Sequence, residues 1–171
     1  MNHYQQGLVV EASRATVYAA LTTPEGLRGW WTQDCDVTTE VGGTSWFRFG
    51  RQRKAVRIER LDPRREVRWA CTGAHIAIAG FTHADEWIGT QIVFRLIEEA
   101  QGRTLLEFEH IGLVPAFECF KACRDGWRLY LRSLQLFVET GRGTPYERVA
   151  SAAGRPHQRI SLINHSTGQQ P

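Results

Sequence analysis

The sequence lacks long apolar runs. Segments such as residues 76–79 are short, whereas a transmembrane helix needs about 20 predominantly apolar residues. The N-terminal region has only residues 8–10 before Glu11 interrupts them, so it contains no apolar core of a secretory signal. We therefore expect a cytoplasmic protein that does not associate with membranes.

Several sequence motifs of catalysis are also missing. The chain has no Gly-rich phosphate loop, no nucleophile elbow and no His-Glu-x-x-His pattern. Nucleotide chemistry and metalloprotease chemistry depend on these arrangements. We expect a protein without a cofactor or a metal ion and, as the first interpretation, without catalytic activity.

The net charge of the chain is small. Residues 1–141 contain 17 basic and 17 acidic residues, and the excess of +3 comes from the residues that follow. A neutral body argues against binding to nucleic acid, because such proteins carry a basic patch or stripe. Only Lys54 and Lys121 are lysines, so the remaining basic residues are arginines.

The four cysteines form no C-x-x-C pair. In a cytoplasmic chain they are expected to be reduced thiols. Cys119 and Cys123 are four residues apart and would lie on the same side of a helix. They are interpreted as small buried apolar residues, with half of a metal site as the alternative.

The order of predicted elements is distinctive. Alternating and helical apolar spacing predict one strand, two short helices, a run of antiparallel strands and a long last helix. The predicted bounds are 4–11 for the first strand, 14–21 and from 24 for the short helices, and 116–140 for the last helix. A loop is predicted over 73–86 and a hairpin turn over 98–103. We expect one domain over 1–146 and a poorly packed basic tail over 147–171.

Short motifs in this order resemble a known family. They are residues 17–21 followed by Thr23-Pro24-Glu25, Trp30-Trp31, Gly42-Gly43, residues 104–106 leading to His110, and Gly126-Trp127 followed by Leu131 and Leu134. Over residues 8–141 the chain resembles the helix-grip (START-like, SRPBCC) superfamily, in the branch named for the activator of heat-shock-protein-90 ATPase. The resemblance implies an α+β fold in which a curved antiparallel sheet wraps round a long C-terminal helix, with two short helices after the first strand. It also implies a cavity between that helix and the concave sheet.

Alternation along the predicted strands and apolar spacing along the last helix identify the side chains that would line this cavity. Side chains on the inner face of the sheet and on the apolar side of the last helix are expected to contact a ligand, unless they simply form the core. The candidates are Trp31, Phe47, Val56, Trp69, Phe94, Phe108, His110, Cys123 and Trp127. His110 is the one ionisable group predicted on the inner face, where it would orient a ligand, act as a base or remain a satisfied core residue.

Two further segments are candidate sites. His75, His83, Asp85 and Glu86 occur together in the predicted loop, which suggests a solvated lid, or alternatively a metal site. Residues 48–68 contain nine basic and three acidic residues, typical of the wet face of a sheet or, alternatively, of a docking surface for an acidic partner.

The sequence thus predicts binding of a small apolar ligand without catalysis. A protein-interaction module that regulates a chaperone or another partner is the alternative that the family name implies. A cyclase or hydrolase that uses the same cavity is the second alternative, and a homodimer is compatible with all three.

Overall fold

The computed structural model describes residues 3–148. The predicted tail, residues 147–171, therefore lies almost entirely outside the described residues. Within the described part, three helices and seven strands account for most of the chain.

A single antiparallel sheet forms the body of the fold. Its strands are β1 (Tyr4–Val10), β2 (Cys35–Asp36), β3 (Thr44–Phe49), β4 (Gln52–Asp62), β5 (Glu66–His75), β6 (Gln91–Glu98) and β7 (Thr104–Ile111). They are arranged in the order β1-β7-β6-β5-β4-β3-β2. The first strand thus pairs with the last, and the remaining neighbours follow one another as hairpins.

Two short helices connect β1 to β2 and begin where the sequence places caps. In α1 (Arg14–Thr22) the Ser13 side chain accepts a hydrogen bond from the amide of Thr16. In α2 (Pro24–Trp30) the Thr23 side chain accepts one from the amide of Gly26, and Pro24 occupies the first turn. Both caps satisfy amides that have no partner inside the helix.

The long helix α3 (Phe120–Thr140) packs against the inner face of the sheet and ends at Gly141, whose φ of 83° suits glycine. It begins four residues later than the sequence predicted, because residues 114–119 form turns instead. Glu86 fixes this start, since its carboxylate accepts hydrogen bonds from the amides of Glu118 and Cys119, both at 2.8 Å. No local pattern reveals a cap supplied from more than thirty residues away.

The predicted loop at 73–86 is wrong at its beginning. Strand β5 continues to His75, which pairs with Arg53 of β4. The ideal Cβ position of Gly73 lies only 3.0 Å from the Cβ of Ala55. Glycine is therefore in the strand because two strands approach closely there, and it does not mark a turn.

The core lies between α3 and the inner face of the sheet. Along β3, β5 and β7 the buried residues of the inner face alternate with more exposed ones, as expected for an antiparallel sheet with one solvated face. Leu131 and Leu134 of α3 are completely buried against this face. The hydroxyl of Ser133 donates to the carbonyl of Trp30 at 2.7 Å and joins α3 to α2.

Candidate ligand-binding site

One end of the helix–sheet interface is open. A cavity of about 310 Å³ lies between the N-terminal half of α3, the β3–β4 hairpin and the segment after β5. Its lining residues come from five parts of the chain and are mostly aromatic or apolar: Trp31, Phe49, Gln52, Lys54, Ile78, Trp87, Ala122, Cys123, Gly126, Trp127, Tyr130 and Tyr146. Small-molecule sites commonly have this character, with an apolar lining and a few polar groups.

Gly126 keeps this space open. It lies within α3 and lines the cavity, and an ideal Cβ built on it meets nothing within 4 Å. A larger side chain would therefore extend into the cavity. Glycine in the middle of a helix costs about 1 kcal/mol relative to alanine, so its presence here is explained by the space and not by helix stability.

Tyr146, which follows α3 in the chain, also lines the cavity. After the helix the chain returns alongside α2, where the amide of Tyr146 donates to the carbonyl of Trp31 at 2.9 Å. The carbonyl of Tyr146 accepts from the amide of Gln33 at 3.0 Å. This short bridge holds the tyrosine ring against Phe49, with 5.8 Å between ring centroids.

Of the nine residues predicted to contact a ligand, three line the cavity: Trp31, Cys123 and Trp127. The structure places the other six in the packed core beside it, namely Phe47, Val56, Trp69, Phe94, Phe108 and His110. Their side chains face the inner side of the sheet, as the alternation along the strands predicted. The aromatic residues among them pack against α2 and α3. Phe108, for example, contacts Trp127 at a centroid distance of 4.5 Å.

Stacked indole rings form the wall between core and cavity. Trp31 stacks on Trp127 with ring centroids 5.4 Å apart, and Trp127 stacks on Trp87 at 5.8 Å. Trp30 and Trp69 stack on Trp31 from other directions. A molecule in the cavity would thus contact three rings of a continuous five-tryptophan cluster.

His110 is held in a closed hydrogen-bond chain. The indole N–H of Trp127 donates to Nδ1 of His110 at 3.0 Å. Nε2 lies 2.8 Å from Oγ1 of Thr90, whose hydroxyl donates to the carbonyl of Trp87 at 2.6 Å. Nε2 must therefore carry the proton and donate to Thr90. Burial, helped by the positive charges of Lys54 and His3, lowers the pKa of His110 to about 3, so the ring is neutral and both nitrogens are occupied.

The inner face carries a second ionisable group that the sequence analysis missed. Lys54 lies opposite Phe47 on β3 and points into the cavity. Its Nζ is 4.2 Å from the ring centroid of Trp87 and 4.6 Å from that of Phe49. The prediction that His110 is the one ionisable residue on this face is wrong, because the alternation that buries Val56 and Ile58 also turns Lys54 inward.

Cys123 presents its thiol to the cavity beside Lys54. It accepts a hydrogen bond from the indole N–H of Trp87 at 3.2 Å. Hydrogen bonding from Cys119 lowers the pKa of Cys123, and the Trp87 donor and the charge of Lys54 act in the same direction. The other three cysteines are buried, and the pKa of each is raised. To act as a nucleophile activated by His110, Cys123 would need a free nitrogen on that ring, and Trp127 and Thr90 occupy both nitrogens.

Of the alternative metal ligands, His75 ends β5, and His83, Asp85 and Glu86 lie in the segment after it. Glu86 is engaged with the start of α3, and His83 Nδ1 lies 3.3 Å from a carboxylate oxygen of Glu118. That carboxylate also accepts from the amides of Thr82 and His83. Among residues 3–148, no three side chains of the metal-binding types come together.

In residues 48–68, acidic neighbours pair with four of the eight arginines, namely Arg48, Arg57, Arg60 and Arg68. Arg57 pairs with Glu59 at 2.8 Å and Arg68 with Glu66 at 3.0 Å. Arg48 pairs with Asp36 at 2.7 Å. Because Lys54 points inward, the outer face of the sheet is less basic than the nine-to-three composition of residues 48–68 suggests.

A curved antiparallel sheet, a long helix packed across it and a cavity between them define a helix-grip protein, which confirms the α+β fold predicted from the sequence. The sequence model of the Activator of Hsp90 ATPase homolog 1-like proteins matches residues 11–139. The chain belongs to this family.

Solved structures show the same fold. The Aha1 dimer from Colwellia psychrerythraea is 29% identical, with a TM-score of 0.69, over 84% of this chain and 100% of that chain. DynU16, a putative protein of the dynemicin biosynthetic locus, is 17% identical with a TM-score of 0.66, over 86% of this chain and 51% of its own. CalU16 from Micromonospora echinospora is 21% identical with a TM-score of 0.60, over 82% and 75%. Among curated proteins, no sequence matches this chain.

None of the helices within residues 3–148 has the length and apolar character that crossing a membrane requires.

Proposed function

We propose that this protein binds a small apolar molecule in the cavity beneath the N-terminal half of α3, without transforming it chemically. The observation that carries the proposal is the open space at Gly126, bounded by the rings of Trp31, Trp87 and Trp127. Burial of a flat apolar molecule against these rings would be favourable by roughly 25 cal/mol for each Å² removed from water. The neighbouring core is densely filled, so the opening is local.

The residues around the cavity favour binding over catalysis. His110 has both nitrogens engaged and its pKa is lowered to about 3, so it is a poor base at neutral pH. The same two hydrogen bonds keep the His110 imidazole from activating Cys123. These contacts fix the shape of the lining and leave aromatic surface for a ligand.

The test is a tryptophan-fluorescence titration with a panel of small aromatic and aliphatic compounds, confirmed by calorimetry. Trp31, Trp87 and Trp127 lie on the lining, so a bound molecule should change emission saturably with one ligand per chain. Gly126→Leu should fill the cavity and abolish the saturable change. Gly126→Ala is the matched control, because it gives the same gain in helix propensity with only one added carbon.

Saturable binding that Gly126→Leu removes and Gly126→Ala retains supports the proposal. Binding that survives Gly126→Leu would place the ligand elsewhere. No saturable binding across the panel would remove the proposal.

The description of the family supplies a second candidate, an interaction module that regulates a chaperone or another protein. A relative that is 29% identical is a dimer, and we include a homodimer in this candidate. The paired arginines on the outer face weaken the version in which an acidic partner docks there. Light scattering on the full chain measures the mass directly, and a monomer at all accessible concentrations would exclude the homodimer.

A further inference from the structure

Lys54 is an unusual group for an apolar cavity. Strand pairing fixes it between Phe47 of β3 and Ala74 of β5, and its Nζ lies over the rings of Trp87 and Phe49. Aromatic faces attract a cation, so the amine is held at one position on the wall. This placement follows from the backbone register and does not depend on a flexible surface side chain.

The amine has no anionic partner. Among residues 3–148, no ion pair or hydrogen bond involves Nζ of Lys54, whereas four of the eight arginines of residues 48–68 are paired with carboxylates. Burial lowers its pKa below the ordinary lysine value. Among the described residues no side-chain nitrogen is both fully enclosed and unpartnered, so Nζ is open to the cavity, where a ligand can supply the missing acceptor.

Lys54 is also the only charged side chain on the lining formed by the described residues. The lining contains no carboxylate that would repel an anion. The uncharged polar groups of the lining include the amide of Gln52 and the phenols of Tyr130 and Tyr146. The wall therefore offers one cation surrounded by aromatic surface.

From this arrangement we infer that the ligand is an apolar acid, whose carboxylate or equivalent anionic group pairs with Lys54 while its apolar body lies against Trp31, Trp87 and Trp127. The inference rests on the proposed function, since it names the chemical class of the molecule in the same cavity. A charged hydrogen bond in such surroundings is stronger than a neutral one. It would also orient the ligand with its acidic end toward β4.

The experiment compares ligands that differ only in charge. Binding of naphthoic acid and naphthamide, and of decanoic acid and decanamide, is measured by calorimetry for the wild type and for Lys54→Met. The methionine side chain has similar length and no charge. Arg53→Met is the matched control, because it removes a positive charge from the adjacent, exposed position of the same strand.

We expect at least one acid to bind the wild type about tenfold or more tightly than its amide. This preference should disappear in Lys54→Met and persist in Arg53→Met. Retained binding of the amide by Lys54→Met would show that the variant is folded and its cavity intact.

Equal binding of acids and amides by the wild type would overturn the inference and leave the proposed function standing. A preference for the acid that persists in Lys54→Met would also overturn it, because another group would then be responsible. If neither member of either pair binds, while other compounds of the panel bind saturably, the acid class is excluded. If nothing in the panel binds, both proposals fail together.

Discussion

Trp127 donates its indole N–H to Nδ1 of His110 across 3.0 Å, joining the centre of α3 to the last strand of the sheet. The same indole ring lines the cavity on its other side. One side chain therefore belongs both to the packed core and to the candidate site. Changes in the protonation of His110 should consequently affect the stability of the fold at the point where the cavity begins.

This relationship predicts a specific acid sensitivity. The pKa of His110 is lowered to about 3 in the folded protein, from an ordinary value of 6.5. Between these values the unfolded chain binds a proton that the folded chain excludes, so stability is complete above about pH 6.5 and falls as the pH drops. One such group contributes a slope of about 1.4 kcal/mol per pH unit between roughly pH 5.5 and pH 4. Urea unfolding followed as a function of pH measures it.

The variant His110→Gln isolates this contribution. Its amide can accept from Trp127 and donate to Thr90 without taking up a proton, so the slope should decrease by about one proton. His75→Gln, at an exposed position of β5, is the control and should retain the wild-type slope. If His110→Gln and the wild type show the same slope, the account of a neutral, buried His110 is wrong.

Cysteine reactivity supplies a second prediction. Cys123 is half-buried, lines the cavity and has a lowered pKa, whereas burial raises the pKa of Cys71 to about 11. The thiolate is the reactive form, so iodoacetamide at neutral pH should modify Cys123 before Cys35, Cys71 and Cys119. Mass spectrometry of digested samples over time gives the order of modification.

A bound ligand should slow the modification of Cys123 in particular. Cys123→Ser should leave a chain that reacts only at the slow rate of the buried thiols. Modification of Cys71 as fast as that of Cys123 in the folded protein would contradict the assigned positions.

Much of the fold could be predicted because its signals are local. Ser13, Thr23 and Pro24 mark helix starts through contacts within three residues. Alternation along the strands correctly separated the buried Phe47 and Trp69 from their less buried neighbours. Such patterns depend only on the direction in which successive side chains point.

The sequence predicted a cavity between the last helix and the sheet, but not where along this interface it lies. Parity identifies which side chains face inward, yet it cannot tell whether helix residues fill the space above them. Phe108 and Trp127 are in contact, whereas Gly126, one residue earlier, faces empty space. Lys54 was missed for a different reason. It lies in sequence among arginines of the outer face, so its inward orientation was not recognised.

A further prediction concerns the anchor at the start of α3. The carboxylate of Glu86 accepts from the amides of Glu118 and Cys119, both at 2.8 Å. These amides lack partners within the helix, and a negative charge is favourable at a helix N-terminus. Glu86→Ala should therefore destabilise the protein by roughly 1–3 kcal/mol, while Glu86→Gln, which retains one acceptor oxygen, should cost less.

The neighbouring Trp87 makes this anchor relevant to the cavity. Trp87 follows Glu86 directly, stacks on Trp127 and lies under Lys54, so loss of the anchor should also weaken ligand binding through the position of this ring. Asp85→Ala is the matched control, because it removes the adjacent carboxylate at an exposed position. Guanidinium unfolding gives the stability change, and near-ultraviolet circular dichroism reports the packing of the tryptophans. An unfolding midpoint and a dichroism spectrum of Glu86→Ala identical to those of Asp85→Ala would show that the anchor does not hold α3 or the cavity wall in place.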